Sequence, residues 1–352
     1  MSLNLLLVFI PIAVALDWYG VSPIAVFAAS ALAIVPLAGL MGRATEQLST
    51  YVGTTVGGLL SASLGNAPEL IIAGFALKEG LVDVVKASIT GSILGNTLFS
   101  LGLSMIVGGW GRERQRFNKT VAGMSGGLLL VAAVGLLIPA MFHFATGKAR
   151  EVSMEIAIVL FVAYLLSLVF TLKTHRQLIR PGADASGAAE SHEASNEAPW
   201  SKQKAITVLT GVTLVIAVMS EILVGAIEPA SASLGLTPIF AAVIFLALVG
   251  NAAEAMNAVG FARKDLMDLS FGIAVGASTQ VALFVAPVLV FAGYLMGQPM
   301  DLHFTFFEIV AIVLAVAIVS RLTSDGECHW MEGVMLVSVY LMFAIGFFFL
   351  PA

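Results

Sequence analysis

The sequence predicts an all-α polytopic membrane protein of about 11 transmembrane helices, one N-terminal helix followed by two inverted five-helix repeats. Three observations carry that prediction. The chain is 59% hydrophobic and 11% charged, with a mean hydropathy of +0.99, outside the range of a soluble globular domain. Apolar runs of about 20 residues, long enough to cross a bilayer as a helix, recur along its whole length. One phrase occurs twice, each time inside such a run: Gly65-Asn66-Ala67-Pro68-Glu69 is answered by Gly250-Asn251-Ala252-Ala253-Glu254.

In chain order, the spans fall at 3–20, 22–41, 51–77, 84–109, 119–141, 152–172, 204–227, 237–262, 268–296, 303–321 and 331–350. The first is short and ends at Asp17-Trp18-Tyr19, which also suits an interfacial helix. No Lys or Arg precedes its apolar run, which argues against a cleaved signal peptide. Setting it aside leaves five spans before the central hydrophilic stretch and five after it. An odd number per half turns the second half upside down relative to the first. The expected units are an N-terminal helix at 1–20, a first repeat at 21–172, a cytoplasmic linker at 173–203 and a second repeat at 204–352.

Charge sets the orientation. With eleven spans, 13 of the 17 Lys and Arg residues collect on one side, among them Arg43, Arg112, Arg114, Arg116, Arg263 and Lys264. Only Lys78, Lys86, Lys148 and Arg150 lie on the other. The positive-inside rule makes the first side cytoplasmic, with the N-terminus inside and the C-terminus outside; the plasma membrane is the expected location. The linker core at 181–199 is rich in Ala, Ser and Gly and carries Asp184, Glu190, His192, Glu193 and Glu197. Its composition is that of a flexible tether, and its acidity also suits a cytoplasmic calcium-sensing segment.

The repeated phrase points to the site. A carboxylate at mid-membrane depth costs roughly 2.5–3.5 kcal/mol on insertion scales, so Glu69 and Glu254 call for a functional reason. Shifting the chain by 185 positions also matches Lys78 with Arg263, Asp83 with Asp268, Gly91 with Gly276 and Gly108 with Gly293. Asn66 and Glu69 are three apart, as are Asn251 and Glu254, so each pair shares one helix face. Pro68, read as lying within a continuous helix, frees a carbonyl near Leu64. The next span of each half brings Ser92 and Asn96, or Ser278 and Gln280. All of these ligands are oxygens, the set that suits a hard cation, Ca²⁺ above all, rather than zinc or copper. Glu46, Glu221 and Glu308 are candidate accessory groups, the last two for a proton path or a buried pair. Asp83 and Asp268 read as N-caps of the helices that follow them.

Several function classes drop out. The single cysteine, Cys328, excludes a disulfide framework and a Cys-based metal centre. No CxxC, P-loop or GxGxxG is present. An intramembrane hydrolase needs a nucleophile–base pair or mid-depth His ligands, whereas all five His residues fall near membrane edges or in loops.

The residues resemble a known family. Arg43-Ala44-Thr45-Glu46-Gln47-Leu48, Gly57-Gly58-Leu59-Leu60 and the run from Gly65 to Ile71 are similar to the first half of the Ca²⁺/H⁺ antiporters. These form the cation/proton exchanger branch of the Ca²⁺/cation antiporter superfamily. Ser220-Glu221-Ile222-Leu223-Val224, the run from Gly250 to Glu254, the run from Gln280 to Val285, and Ser324-Asp325-Gly326 with Trp330-Met331-Glu332-Gly333 resemble the second half. The resemblance implies Ca²⁺ bound between the two Glu-bearing helices, an acidic segment linking the halves, and alternating-access exchange with H⁺. It implies no cofactor and no enzymatic activity. Ca²⁺, H⁺ and the lipid bilayer are the expected partners, with no nucleic acid. Ala277 stands where the family usually has Ser, and Ala255 follows the second Glu where it often has His. A sodium-coupled calcium exchanger is the second reading, although neither 91–96 nor 276–280 holds an Asp or Glu. A cation channel, which would use a symmetric pore ring, is the third.

Overall fold

The computed structural model describes residues 3–147, 149–174 and 200–351. The acidic stretch at 181–199 lies outside the described residues. A 3₁₀ turn at Leu3–Val8 leads into α1 (Phe9–Trp18), followed by α2 (Pro23–Ser49), α3 (Thr54–Leu64) and α4 (Ala67–Lys78). Next come α5 (Val82–Gly109), β1 (Gln115–Arg116), α6 (Lys119–Thr146) and α7 (Arg150–Thr174). The second half holds α8 (Lys202–Leu234), α9 (Pro238–Gly250), α10 (Ala252–Arg263) and α11 (Met267–Met296). It ends with α12 (Phe306–Leu322), β2 (Glu327–Cys328) and α13 (Trp330–Phe349).

Among the described residues, seven helices are long and apolar enough to cross a membrane, or up to nine if each of two bent pairs counts as one span. The bent pairs are α3–α4, at 45°, and α9–α10, at 60°. The sequence reads each as one continuous helix, and here the structure corrects it. The breaks fall at Asn66 and Asn251, whose backbones (φ −99°, ψ 20° and φ −92°, ψ 10°) leave the helical path. Pro68 stands at the start of α4, where a missing N–H costs nothing, so it marks a helix beginning rather than a freed carbonyl inside one. The second predicted span runs on past 41 to Ser49, while α1 is a helix of only 10 residues.

The two halves match element by element. A shift of 185 carries α4 (67–78) onto α10 (252–263) and the start of α5, Val82, onto the start of α11, Met267. It also aligns a π-helical turn at Gly95–Ser100 of α5 with one at Val281–Val285 of α11. Such a turn inserts an extra residue into the helical ladder, and its repetition marks a shared local geometry. Leu81 and Leu266 hold the N-cap positions of α5 and α11, not the aspartates. Asp83 and Asp268 lie within the first turns, correcting the capping expectation; there they still face the positive end of the helix.

Burial separates inner helices from outer ones. The apolar windows of α5 and α11 are 83% and 72% buried, against 17–33% for α6, α7, α8 and α13. The inner pair therefore carries the polar segments that lipid would not tolerate. Around them, α2 packs along α8, α12 on α6, and α10 and α13 on the second half of α5. On one face of the bundle, β1 pairs antiparallel with β2, Gln115 opposite Cys328, and Phe117 N–H donates to the Gly326 carbonyl. Arg114 and Arg116 both bind the Glu327 carboxylate, at 2.9 and 3.1 Å.

Candidate cation site

Each helix break is followed at once by a carboxylate. Glu69 and Glu254 stand in the first turns of α4 and α10, where the aligned peptide dipoles favour negative charge. Glu69 is 9% exposed and lies against Gly250 at the opposite break: a β-carbon there would sit 3.1 Å from Glu69 Cγ and 3.5 Å from its Oε1. The absence of a side chain at Gly250 thus makes room for the Glu69 carboxylate. Gly250 lies four residues before Glu254, so the Glu69 side chain reaches the break that leads into the second carboxylate's helix. Glu69 Oε2, Glu254 Oε2 and Asn96 Oδ1 are all buried oxygens without a hydrogen-bond partner. Buried lone pairs left open in this way cost stability unless something fills them.

Amides tie the halves together crosswise. Asn66 Nδ2, at the first break, donates to Gln280 Oε1 on α11. Asn96 Nδ2, on α5, donates to Asn251 Oδ1 at the second break over 2.6 Å. Asn251 Nδ2 in turn donates to Ser92 Oγ at 2.9 Å and to the Ala247 carbonyl at 2.8 Å. Ser278 Oγ donates to the Ala274 carbonyl at 3.2 Å and reaches that of Ile93 at 3.4 Å. The eight residues expected at the site therefore all lie on or beside the two breaks and the two inner helices.

The accessory candidates do not join them. Glu46 is exposed near the end of α2, and Glu221 is exposed on α8 with its carboxylate 3.9 Å from Lys78 Nζ. The pair expected to be buried for Glu221 is thus an exposed one. Glu308 is buried, but its oxygens are committed: it accepts from Thr90 Oγ1 at 3.1 Å and from Thr305 N and Oγ1 at 2.8 Å each. Nearby, Lys86 pairs with Asp301 at 2.5 Å. That network escapes a sequence reading because its members are separated by more than 200 positions; the one local signal is a Lys within the apolar run of α5.

A cavity of ≈ 440 Å³ reaches the site from one side. Asn118 and Asp268 stand at its outer end, and Asn66, Glu254 and Gln280 line its inner part. The equivalent face of α5 is closed. Ala87 is fully buried, and a β-carbon at Gly91 would overlap the Val243 carbonyl and the Ala247 methyl. Among the described residues, no three His, Cys, Asp or Glu side chains come together as a metal-binding group. The donors present are a carboxylate pair with amide and hydroxyl oxygens, a hard-cation set that suits a transient cargo better than a tightly held metal.

Residues 22–173 and 204–349 match the sodium/calcium exchanger protein family. The chain belongs to that family. A Ca(2+)/H(+) antiporter from Aphanothece halophytica is 43% identical to it over 357 residues, covering 98% of this chain and 96% of the relative. One from Synechocystis sp. is 45% identical over 359 residues, again covering 98% and 96%. Among solved structures, native YfkE, a Ca2+/H+ antiporter protein, is 38% identical and superposes with a TM-score of 0.85, covering 99% of this chain and 100% of that one. In this exchanger-family chain the matched residues include both helix breaks and both inner helices.

Proposed function

We propose that this chain is a secondary active antiporter, not an enzyme, and that it exchanges Ca²⁺ for H⁺ by alternating access at the Glu69–Glu254 pair. The observation that carries the reading is a buried carboxylate oxygen without a partner just after each of two matching helix breaks, which the Asn66–Gln280 and Asn96–Asn251 bonds tie to the inner helices. Relatives named as Ca(2+)/H(+) antiporters, similar over nearly the whole chain, support it. No cofactor is required; Ca²⁺ is the cargo.

Charge balance gives the mechanism. The two carboxylates carry two negative charges, which one Ca²⁺ neutralises and which two protons neutralise equally well. A loaded site and a doubly protonated site can each cross the low-dielectric centre. An empty site holding two bare anions there costs several kcal/mol. Exchange without leak follows, with two protons per Ca²⁺ as the minimum. Opening of the cavity on one side, with the matching face of α5 closed, supports access from one side at a time.

The topology we propose has 11 spans: an N-terminal helix at 1–20, a first repeat at 21–172, a linker at 173–203 and an inverted second repeat at 204–352. It sits in the plasma membrane with the N-terminus cytoplasmic and the C-terminus external. The crowding of Arg112, Arg114 and Arg116 on the cavity side supports a cytoplasmic face there. The test is uptake of radiolabelled Ca²⁺ by purified protein in liposomes, driven by a pH gradient with and without sodium. Uptake that needs only the pH gradient is expected. Uptake that appears only with a sodium gradient would overturn the proton coupling in favour of sodium.

A further inference from the structure

Four residues of α11, spaced four apart, border the same space. Asp268, Gly272, Gly276 and Gln280 all line the ≈ 440 Å³ cavity, forming one stripe along the helix. The stripe begins at an exposed carboxylate and ends at the amide that binds Asn66. Between them, a side chain at Gly272 or Gly276 would meet nothing within 4 Å. Glu254, with its unpartnered Oε2, stands at the inner end. At the outer end Asp268 Oδ1 accepts from Asn118 N at 2.6 Å, and among the described residues nothing donates to its second oxygen.

The corresponding stripe on α5, Asp83, Ala87 and Gly91, has the same acidic start but is shut against Val243 and Ala247. Shared chemistry at the ends with opposite packing in the middle separates an open lane from a closed one. A Ca²⁺ ion is surrounded by six to eight oxygens, waters among them until protein ligands replace them. It therefore needs width along the way and negative charge where it enters. Two glycines supply the first, and a carboxylate at the mouth supplies the second by raising the local cation concentration.

Building on the exchange function above, we propose that the stripe Asp268–Gly272–Gly276–Gln280 is the lane by which a divalent cation moves between the cytoplasm and the carboxylate pair, with Asp268 as its capture residue. Asp268 does not belong to the carboxylate pair itself; it acts on ions before they arrive.

The substitutions separate this role from a structural one. Asp268→Asn keeps an oxygen for the Asn118 N–H but removes the charge, and Asp268→Glu restores the charge. With Ca²⁺ presented at the cytoplasmic face of oriented vesicles, Asp268→Asn should raise KM about three- to tenfold. Turnover and the KM at the opposite face should not change, and Asp268→Glu should recover the wild-type KM. Gly272→Leu should fold with an unchanged Tm and lose at least about tenfold in transport, because it fills the lane. In a Cys328→Ser background, Gly276→Cys should react with a membrane-impermeant thiosulfonate from the cytoplasmic side only. That labelling needs no transport, so a failure of the exchange reading leaves it standing. An unchanged cytoplasmic KM in Asp268→Asn overturns the capture role. Full transport by folded Gly272→Leu, or labelling of Gly276→Cys from the external side alone, overturns the lane.

Discussion

Asn96 donates its side-chain amide to Asn251 Oδ1 over 2.6 Å, joining residues 155 positions apart at the centre of the bundle. With Ser92 and the Ala247 carbonyl taking the Asn251 amide hydrogens, Asn251 has its polar groups engaged, while Asn96 Oδ1 is left open. In this conformation Asn251 acts as a strut, and the free amide oxygen belongs to the residue opposite.

Asn251→Ala should therefore lower stability as well as Ca²⁺ affinity. It leaves Asn96 Nδ2 and Ser92 Oγ buried without their partner, a loss on the order of 1–3 kcal/mol. Thermal unfolding in detergent should show a clear drop in Tm. Calorimetric Ca²⁺ binding should weaken less than in a variant lacking either Glu. A wild-type Tm for Asn251→Ala would mean that the strut does not hold the core.

Glu69→Gln and Glu254→Gln keep the shape of the side chain but can neither carry charge nor exchange a proton. Each variant should fold, with a Tm close to wild type, and should lose pH-gradient-driven Ca²⁺ uptake. Full uptake by either folded variant contradicts the charge-balance mechanism.

His303 should contribute to the acid sensitivity of the fold between neutral pH and pH 5. The rings of His143 and His303 lie 3.8 Å apart between centroids. Burial, then the His143 and Lys86 charges, hold His303 below the ordinary value of 6.5. A His depressed in the fold takes up protons more readily once unfolded. Its contribution to stability is thus present above about pH 6.5 and lost as the pH falls through its folded value. Asp301 behaves differently. Burial would raise it, but the Lys86 hydrogen bond and charge overcome that and set it below its ordinary 3.8. Its contribution persists down to that value and is lost only in stronger acid. Thermal unfolding from pH 8 to 5 should show the Tm of wild type falling relative to that of His303→Gln as the pH drops. Equal slopes would exclude the histidine.

The lone thiol should be silent in the native protein. Cys328 is 1% exposed, and burial, then the Glu332, Asp325 and Asp265 carboxylates, push its thiol up to about 12. Since the thiolate is the reactive form, maleimide at about pH 8 should leave the folded chain unmodified and label it once denatured. Rapid labelling of the folded chain would show that the β1–β2 region opens.

Much of the core arrangement was readable from the sequence because it is repeated: two costly carboxylates at the same offset from two Asn residues need a common explanation. The breaks at Asn66 and Asn251 were not readable in that way. Hydrophobic periodicity runs through both positions, and only the backbone turn at each Asn ends the helix. Glu221 reads as membrane-embedded because its neighbours are apolar, yet it faces outward beside Lys78, which comes from a distant helix. The Lys86–Asp301 and Thr90–Glu308 contacts, like the strand pairing of Gln115 with Cys328, join positions that no local pattern relates.

That strand pairing has a consequence for how the chain is made. Gln115 and Arg116 leave the ribosome long before Glu327 and Cys328 exist. Until then Arg114 and Arg116 have no Glu327 to bind, and Phe117 N–H has no Gly326 carbonyl. The first half can thread through the translocon and settle in lipid, but the clasp on this face closes only near the end of synthesis. A chain cut short before Gly326 lacks every one of these contacts.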